Sequence, residues 1–331
     1  MLYAPDFLAR LQAGLAGAMT AWGLGPDTRL RLLTISENAT FLAEAPDGSA
    51  RVFRVHRPGY HSEAQILSEL AWITALREAA VIDTPRPIPG LDGRLLHTFD
   101  DVGTERQVVC FEFVPGRAPD EDGQLGQWFR HLGAIAARLH GHARSFARPE
   151  GFTRKHWTWD RIIGPGAYWG DWRAAPGLSA AEIALLETCA DHLRARLDAL
   201  GQDPEVFGLI HCDMRAANLL VDGARLSVID FDDCGFSWFG YDFAASVSFI
   251  ETDPALPELQ RSWVEGYRSV APLDPAIEAA LPMFVMLRRM QLTAWLASHA
   301  ETPTAAELGA AYPAGTVALA KDWLAAEGVP A

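Results

Sequence analysis

The chain has 331 residues, and its 28 Lys+Arg against 42 Asp+Glu give a formal net charge of −14. That balance disfavours nucleic acid and anionic membrane as main partners, while 49% hydrophobic residues and a mean hydropathy of +0.03 exclude a disordered chain. The length suits two domains of ordinary size, and no apolar run reaches the roughly 18 residues of a membrane span.

Cys110, Cys189, Cys212 and Cys234 show no C-x-x-C spacing, so they read as reduced thiols in a cytoplasmic protein rather than a zinc site or a disulfide frame. Residues 1–10 include Asp6 and no basic stretch ahead of an apolar block, so no signal peptide is expected.

In chain order, residues 5–22 have a helical period. Strands are expected at 29–35, 40–44 and 50–55, separated by the turns Ser36-Glu37-Asn38-Ala39 and Pro46-Asp47-Gly48. Ser62-Glu63-Ala64-Gln65 is a capping box, and Ile66, Leu70, Ile73 and Leu76 carry the following helix to about Ala80. Two further strands are expected at 93–99 and 107–114, joined by an acidic turn near Asp100-Asp101, with a hinge at 111–118. Helices follow at 124–140 and 179–200, around an aromatic-rich loop at 151–175. The C-terminal part reads as helices at 240–251, 256–270, 276–299 and 314–327.

Residues 211–232 concentrate the chemistry. His211-Cys212-Asp213 and Asn218 precede an apolar run, Leu219-Leu220-Val221, a turn at Asp222-Gly223, and a second apolar run that ends on Asp230-Phe231-Asp232. Such a hairpin brings an Asp, an Asn and a second Asp to one end of a sheet. Carboxylate and amide oxygens at close range suit Mg²⁺, which also takes waters and phosphates as ligands. A separate carboxylate beside them is what phosphoryl transfer to a hydroxyl needs.

The order H-x-D-x-x-x-x-N followed by D-F resembles the kinase catalytic set. With Cys212 in place of Arg and Asp232 in place of Gly, it resembles the aminoglycoside phosphotransferase and choline kinase-like superfamily, which carries I-D-[FW]-[DE]. Within that group the chain is similar to the branch of type II homoserine kinases and bacterial stress-response Ser/Thr kinases. The resemblance implies an α+β, bilobal protein-kinase-like fold: a small antiparallel β-rich N-lobe with one main helix over 1–114, and a larger, mostly helical C-lobe over 115–331.

The resemblance also implies ATP and Mg²⁺ as cofactors and assigns roles. Asp213 is the catalytic base. Asn218 and Asp230 are metal ligands; Asp232 is either a third ligand, by strand alternation, or a supporting or substrate-facing group. His211 and Asp242 are structural braces of the catalytic loop. Arg54 stands where the family usually has the phosphate-binding Lys, and Glu69, beside an apolar helix stripe, is its expected partner. Ser36 and Asn38, in the turn ahead of that strand, would cover phosphates or merely close a hairpin. Backbone near Glu112 and Val114 would meet adenine.

For the acceptor, Trp157, Trp169, Asp160 and Asp171 make either an ammonium cage or a packed aromatic layer. Arg288 and Arg289, on one helix with Gln291 and Trp295, either meet a substrate carboxylate or line a solvated face. The expected activity is γ-phosphoryl transfer to a hydroxyl of a small molecule: an amino alcohol, a hydroxy amino acid such as homoserine, or an aminoglycoside-like acceptor. A protein Ser/Thr kinase is the alternative, though no segment ending in A-P-E is present. A nucleotide-binding pseudokinase is the second alternative, kept open by Arg54.

Overall fold

The computed structural model describes residues 5–36, 38–119, 125–223 and 225–330. Glu37, in the expected phosphate-covering turn, and Gln124, at the expected start of a helix, lie outside them. The chain divides into two compact units: Met1–Arg117 with Ala147–Arg154 and Leu220–Asp232, and Ala118–Phe146 with Lys155–Leu219 and Asp233–Ala331. Where a single division after residue 114 was expected, a segment near 150 and most of the 211–232 hairpin join the first unit.

The first unit opens with helix α1 (Pro5–Ala18) and strands β1 (Arg29–Ile35), β2 (Ala39–Glu44) and β3 (Ala50–Val55). Helix α2 (Glu63–Glu78) follows, then β4 (Leu96–Asp101) and β5 (Thr104–Glu112). The five strands form one sheet in the order β1-β2-β3-β5-β4, with every neighbouring pair antiparallel. Its core joins Leu11, Leu15, Trp22, Phe41, Phe53, Val55 and Val108. Ser62 and Gln65 make the reciprocal capping bonds that start α2.

The β4–β5 turn differs from expectation. Asp100 and Asp101 lie in β4, and the turn is Val102-Gly103, both at positive φ (53° and 78°). A two-residue loop with both φ values positive matches the right-handed strand twist. Asp101 is kept in the strand by Arg106, whose Nη2 donates to it at 2.9 Å.

The second unit is mostly helical, built from α3 (Leu125–Ser145), α4 (Trp159–Ile162), α5 (Ala180–Leu200), α6 (Tyr241–Ser246), α7 (Leu256–Arg268), α8 (Pro275–Ala279), α9 (Leu281–Ser298), α10 (Pro303–Leu308) and α11 (Ala311–Ala326). A strand pair not anticipated from the sequence, β6 (Phe207–Ile210) with β9 (Gly235–Trp238), lies between α5 and α6. The intervening hairpin, β7 (Leu219–Asp222) and β8 (Arg225–Val228), is as expected. The helix expected over 240–251 ends at Ser246, and that over 276–299 is divided between α8 and α9, with Pro282 in the first turn of α9.

Helices α3 and α7 approach closely through two glycines. A Cβ on Gly133 would meet the Trp263 carbonyl oxygen at 1.9 Å, and one on Gly266 would meet that of Arg130 at the same distance. Helix α9 is buried on nearly all sides, as a central core helix is.

Candidate active site

In the first unit, β3 presents Arg54 and α2 presents Glu69. The ion pair expected between them forms: Arg54 Nη1 donates to both Glu69 oxygens, at 2.7 and 3.0 Å, and the Glu69 side chain is fully buried. The same nitrogen reaches Asp232 Oδ1 at 3.3 Å, and Nη2 reaches Asp230 Oδ1 at 3.5 Å. Burial opposes the guanidinium charge, but the carboxylates of Glu69, Asp232 and Asp230 outweigh it and hold its pKa above the ordinary arginine range.

Asp230 and Asp232 differ in surroundings. The Asp230 side chain is 50% exposed, whereas that of Asp232 is 7% exposed. Asp232 lies among two buried histidines that the sequence reading missed: His61 Nε2 is 3.4 Å from Oδ2 and His56 Nδ1 is 3.6 Å from Oδ1. Burial would raise the Asp232 pKa, but His61 and Arg54 hold it well below the usual carboxylate value. Burial pulls the His56 pKa down to about 3, so that imidazole is neutral and its approach to Asp232 is not an ion pair. The sequence signal for both is their placement at the end of the Arg54 strand, in His56-Arg57-Pro58-Gly59-Tyr60-His61. Arg154, equally unanticipated, ties Asp232 from behind: Nη2 donates to its carbonyl oxygen and Nη1 to that of Gln65.

The β1–β2 turn is closed by its own residues. Ser36 N donates to Asn38 O at 3.0 Å, and Asn38 Oδ1 accepts from Arg57 N at 3.1 Å. Glu112, at the end of β5, donates its N–H to Arg86 O at 2.9 Å and pairs through its carboxylate with Arg77 at 3.1 Å. Val114, just beyond, is buried.

In the second unit the catalytic-type loop follows β6. Cys212 takes a positive φ of 66°, unusual for a residue with a Cβ, and the loop is held by Asp242. Asp242 Oδ1 accepts from Cys212 N at 2.8 Å and Oδ2 from His211 N at 3.3 Å, while Oδ2 lies 3.0 Å from His140 Nε2. His211 Nδ1 accepts from Asp213 N at 3.3 Å. Such strain persists where surrounding bonds over-determine it, typically at functional sites.

Asp213 is thereby presented with three side-chain donors, which make four hydrogen bonds to it. Asn218 Nδ2 donates to its carbonyl oxygen at 2.7 Å and to Oδ2 at 3.0 Å; Arg215 Nε donates to Oδ2 at 3.2 Å; Arg288 Nη2 donates to Oδ1 at 2.6 Å. Asn218 immediately precedes β7, and Asp230 follows β8 by two residues.

The acceptor residues need correction. Trp157 and Trp169 are 2% and 5% exposed and pack edge-to-face at 5.7 Å, with Arg288 5.1 Å from the Trp169 ring. Asp160 is exposed in the first turn of α4, and Asp171 caps its own local turn by accepting from Arg173 N. Neither acid is part of a cage, and the packed-layer reading describes the Trp157–Trp169 pair. Arg288 and Arg289 are buried and do not line a solvated face. Arg289 bonds Glu251 at 2.7 Å, Thr316 Oγ1 at 2.9 Å and Tyr312 O at 2.7 Å. Trp295 stacks on His299 with ring centroids 5.0 Å apart. A helix that is buried all round shows no amphipathic stripe, so sequence could not tell which way these arginines face.

Residues 31–273 match the family described as the phosphotransferase enzyme family. The solved structure of a microcompartment-associated aminopropanol kinase is 44% identical, with a TM-score of 0.89, covering 97% of this chain and 99% of that one. Amicoumacin kinase of Bacillus subtilis (strain 168) is 25% identical over 289 residues, 83% of this chain and 82% of its own length. The fold also recurs, at 23% identity and a TM-score of 0.78, over 94% of this chain and 95% of an amicoumacin kinase, hAmiN, solved in complex with AMP-PNP, Ca²⁺ and Ami.

Proposed function

The chain belongs to the phosphotransferase enzyme family and is a kinase of hydroxyl acceptors; from that premise we propose ATP as donor, Mg²⁺ as its ion, and a small amino alcohol without a carboxylate as acceptor. The observation that carries the choice of acceptor is that Arg288 and Arg289 are both already engaged, with Asp213 and with Glu251. A hydroxy amino acid such as homoserine brings a carboxylate, which must find a cation when it leaves water, and the two arginines expected to supply it are committed. The 44% identity to an aminopropanol kinase supports the same choice.

In this reading Asp213 accepts the proton of the acceptor hydroxyl as its oxygen bonds to the γ-phosphorus and the bond to the bridging oxygen breaks, releasing ADP. The part of Asp213 is mainly to orient the hydroxyl, as a loose transition state requires. Asn218 uses its amide nitrogen on Asp213, which leaves the amide oxygen for a cation. An amide oxygen and a carboxylate such as that of the half-exposed Asp230 are each donor types that Mg²⁺ takes. The ion, when bound, neutralises charge on the phosphates. Arg54 adds fixed positive charge, bracketed by Glu69 and by Asp232. Of the two roles open to Asp232, its burial against Arg54 and two histidines favours support over ligation. The Ser36–Asn38 turn would cover the phosphates. Since the Glu112 N–H is donated to Arg86, adenine would meet other backbone groups of 112–114.

The test is ATP-dependent phosphorylation of 1-amino-2-propanol, homoserine, an aminoglycoside and a protein panel, with Asp213→Ala alongside. We expect transfer to the amino alcohol, lost in Asp213→Ala with ATP–Mg²⁺ binding retained. Incorporation only into protein, or transfer to nothing, overturns the reading in favour of a protein kinase or a pseudokinase respectively.

A further inference from the structure

We infer that Arg288, a residue of α9 remote in sequence from the catalytic loop, is the positioning residue that fixes Asp213 and thereby the place of the acceptor hydroxyl; this rests on Asp213 being the base. A carboxylate offers about four lone-pair sites. On Asp213 three are filled: Oδ2 by Asn218 and Arg215, and Oδ1 by Arg288 at 2.6 Å. The remaining site is on Oδ1, the oxygen that Arg288 holds, so the guanidinium sets the direction in which the hydroxyl must approach.

Arg288 is itself pinned along its whole fork. Nε donates to Ser248 Oγ at 3.0 Å, Nη1 to Gln291 Oε1 at 3.1 Å and, more weakly, to the Tyr241 hydroxyl oxygen at 3.5 Å. The Tyr241 hydroxyl in turn bonds Gln291 Oε1, and the face of the Trp169 ring lies 5.1 Å from the guanidinium carbon. The side chain is 3% exposed, so these partners are not exchanged for water. A planar fork satisfying separate acceptors along its edges is a geometry that Lys cannot reproduce. The pinning therefore runs from α6 and α9 to one oxygen of Asp213.

The decisive comparison is Arg288→Lys and Arg288→Ala against Asp213→Ala, with 1-amino-2-propanol as acceptor. We expect both Arg288 variants to lower kcat by about a hundredfold, the scale on which a misplaced reacting group costs rate. Affinity for a non-hydrolysable ATP analogue with Mg²⁺ should stay within about threefold, since loss of binding and loss of a transition-state interaction are separate effects on the kinetics. Added guanidinium ion should restore part of kcat in Arg288→Ala, where the fork's cavity is open. A kcat in Arg288→Lys equal to that of the parent overturns the proposal. So does a loss of nucleotide binding that matches the loss of kcat in both variants, which marks general damage. An active Asp213→Ala instead sinks the assignment of the base, whatever Arg288 does.

Discussion

The buried pair of Arg54 and Glu69 gives the sharpest test of the first unit. Glu69→Gln removes a charge at nearly constant volume from a site with no solvent exposure, where one Arg54 nitrogen bonds both carboxylate oxygens at 2.7 and 3.0 Å. Breaking a buried pair by removing one partner costs about 3–5 kcal/mol, because the other charge stays desolvated. Asp232 and Asp230, at 3.3 and 3.5 Å, still face the guanidinium, and the new amide keeps one acceptor. Both place the expected loss at the lower end, about 3 kcal/mol. With an unfolding entropy of about 2.1 cal/mol/K per residue over 331 residues, the shift is about 1.4 °C per kcal/mol and Tm should fall by about 4 °C. Differential scanning calorimetry reads this directly. A Glu69→Gln protein melting within about 2 °C of the parent would refute the reasoning, since the pair would then contribute little.

Other consequences are equally open to measurement. Gly133→Ala places a Cβ 1.9 Å from the Trp263 carbonyl oxygen, against backbone that cannot rotate away; we expect about 1–3 kcal/mol of destabilisation in urea titration, and an unchanged midpoint would contradict the close α3–α7 approach. Asp230→Asn should raise the Mg²⁺ concentration needed for turnover more than about tenfold with little change in Tm, because the side chain is half exposed. Stability should fall on acidification through His140. Burial lowers its folded pKa, against the pull of Asp242, so below its unfolded value of about 6.5 the unfolded chain binds the extra proton. The loss therefore begins near pH 6.5 and continues to the lower folded pKa, at up to about 1.4 kcal/mol per pH unit. His140→Gln should flatten that slope, and identical slopes in the two proteins would remove His140 as its source.

Local chemistry made some features legible in the sequence. The capping box at Ser62 and Gln65 needs only neighbours three residues apart, and α2 starts where it says. The β7–β8 hairpin follows from two short apolar runs around Asp222-Gly223. The spacing of His211, Asp213, Asn218 and Asp230 carried the family, because it matches the family's motif over one short stretch that supplies the oxygen donors Mg²⁺ needs. Arg54 and Glu69 were legible as a pair because a Glu beside an apolar stripe is costly without a cation.

What tertiary structure alone decided concerns groups whose partners lie far away in the chain. Arg288 bonds a carboxylate 75 residues before it, and α9 is buried on nearly all sides, so periodicity carries no information about which of its side chains meet the catalytic loop. The two aspartates of Asp230-Phe231-Asp232 alternate identically in sequence, yet one is half exposed and the other is enclosed by Arg54, His56 and His61. Burial and long-range charge set those roles, and neither is a property of local sequence. The sequence determined that this chain moves a phosphate; the packing around Asp213 and Asp232 decided which charges are left to meet what receives it.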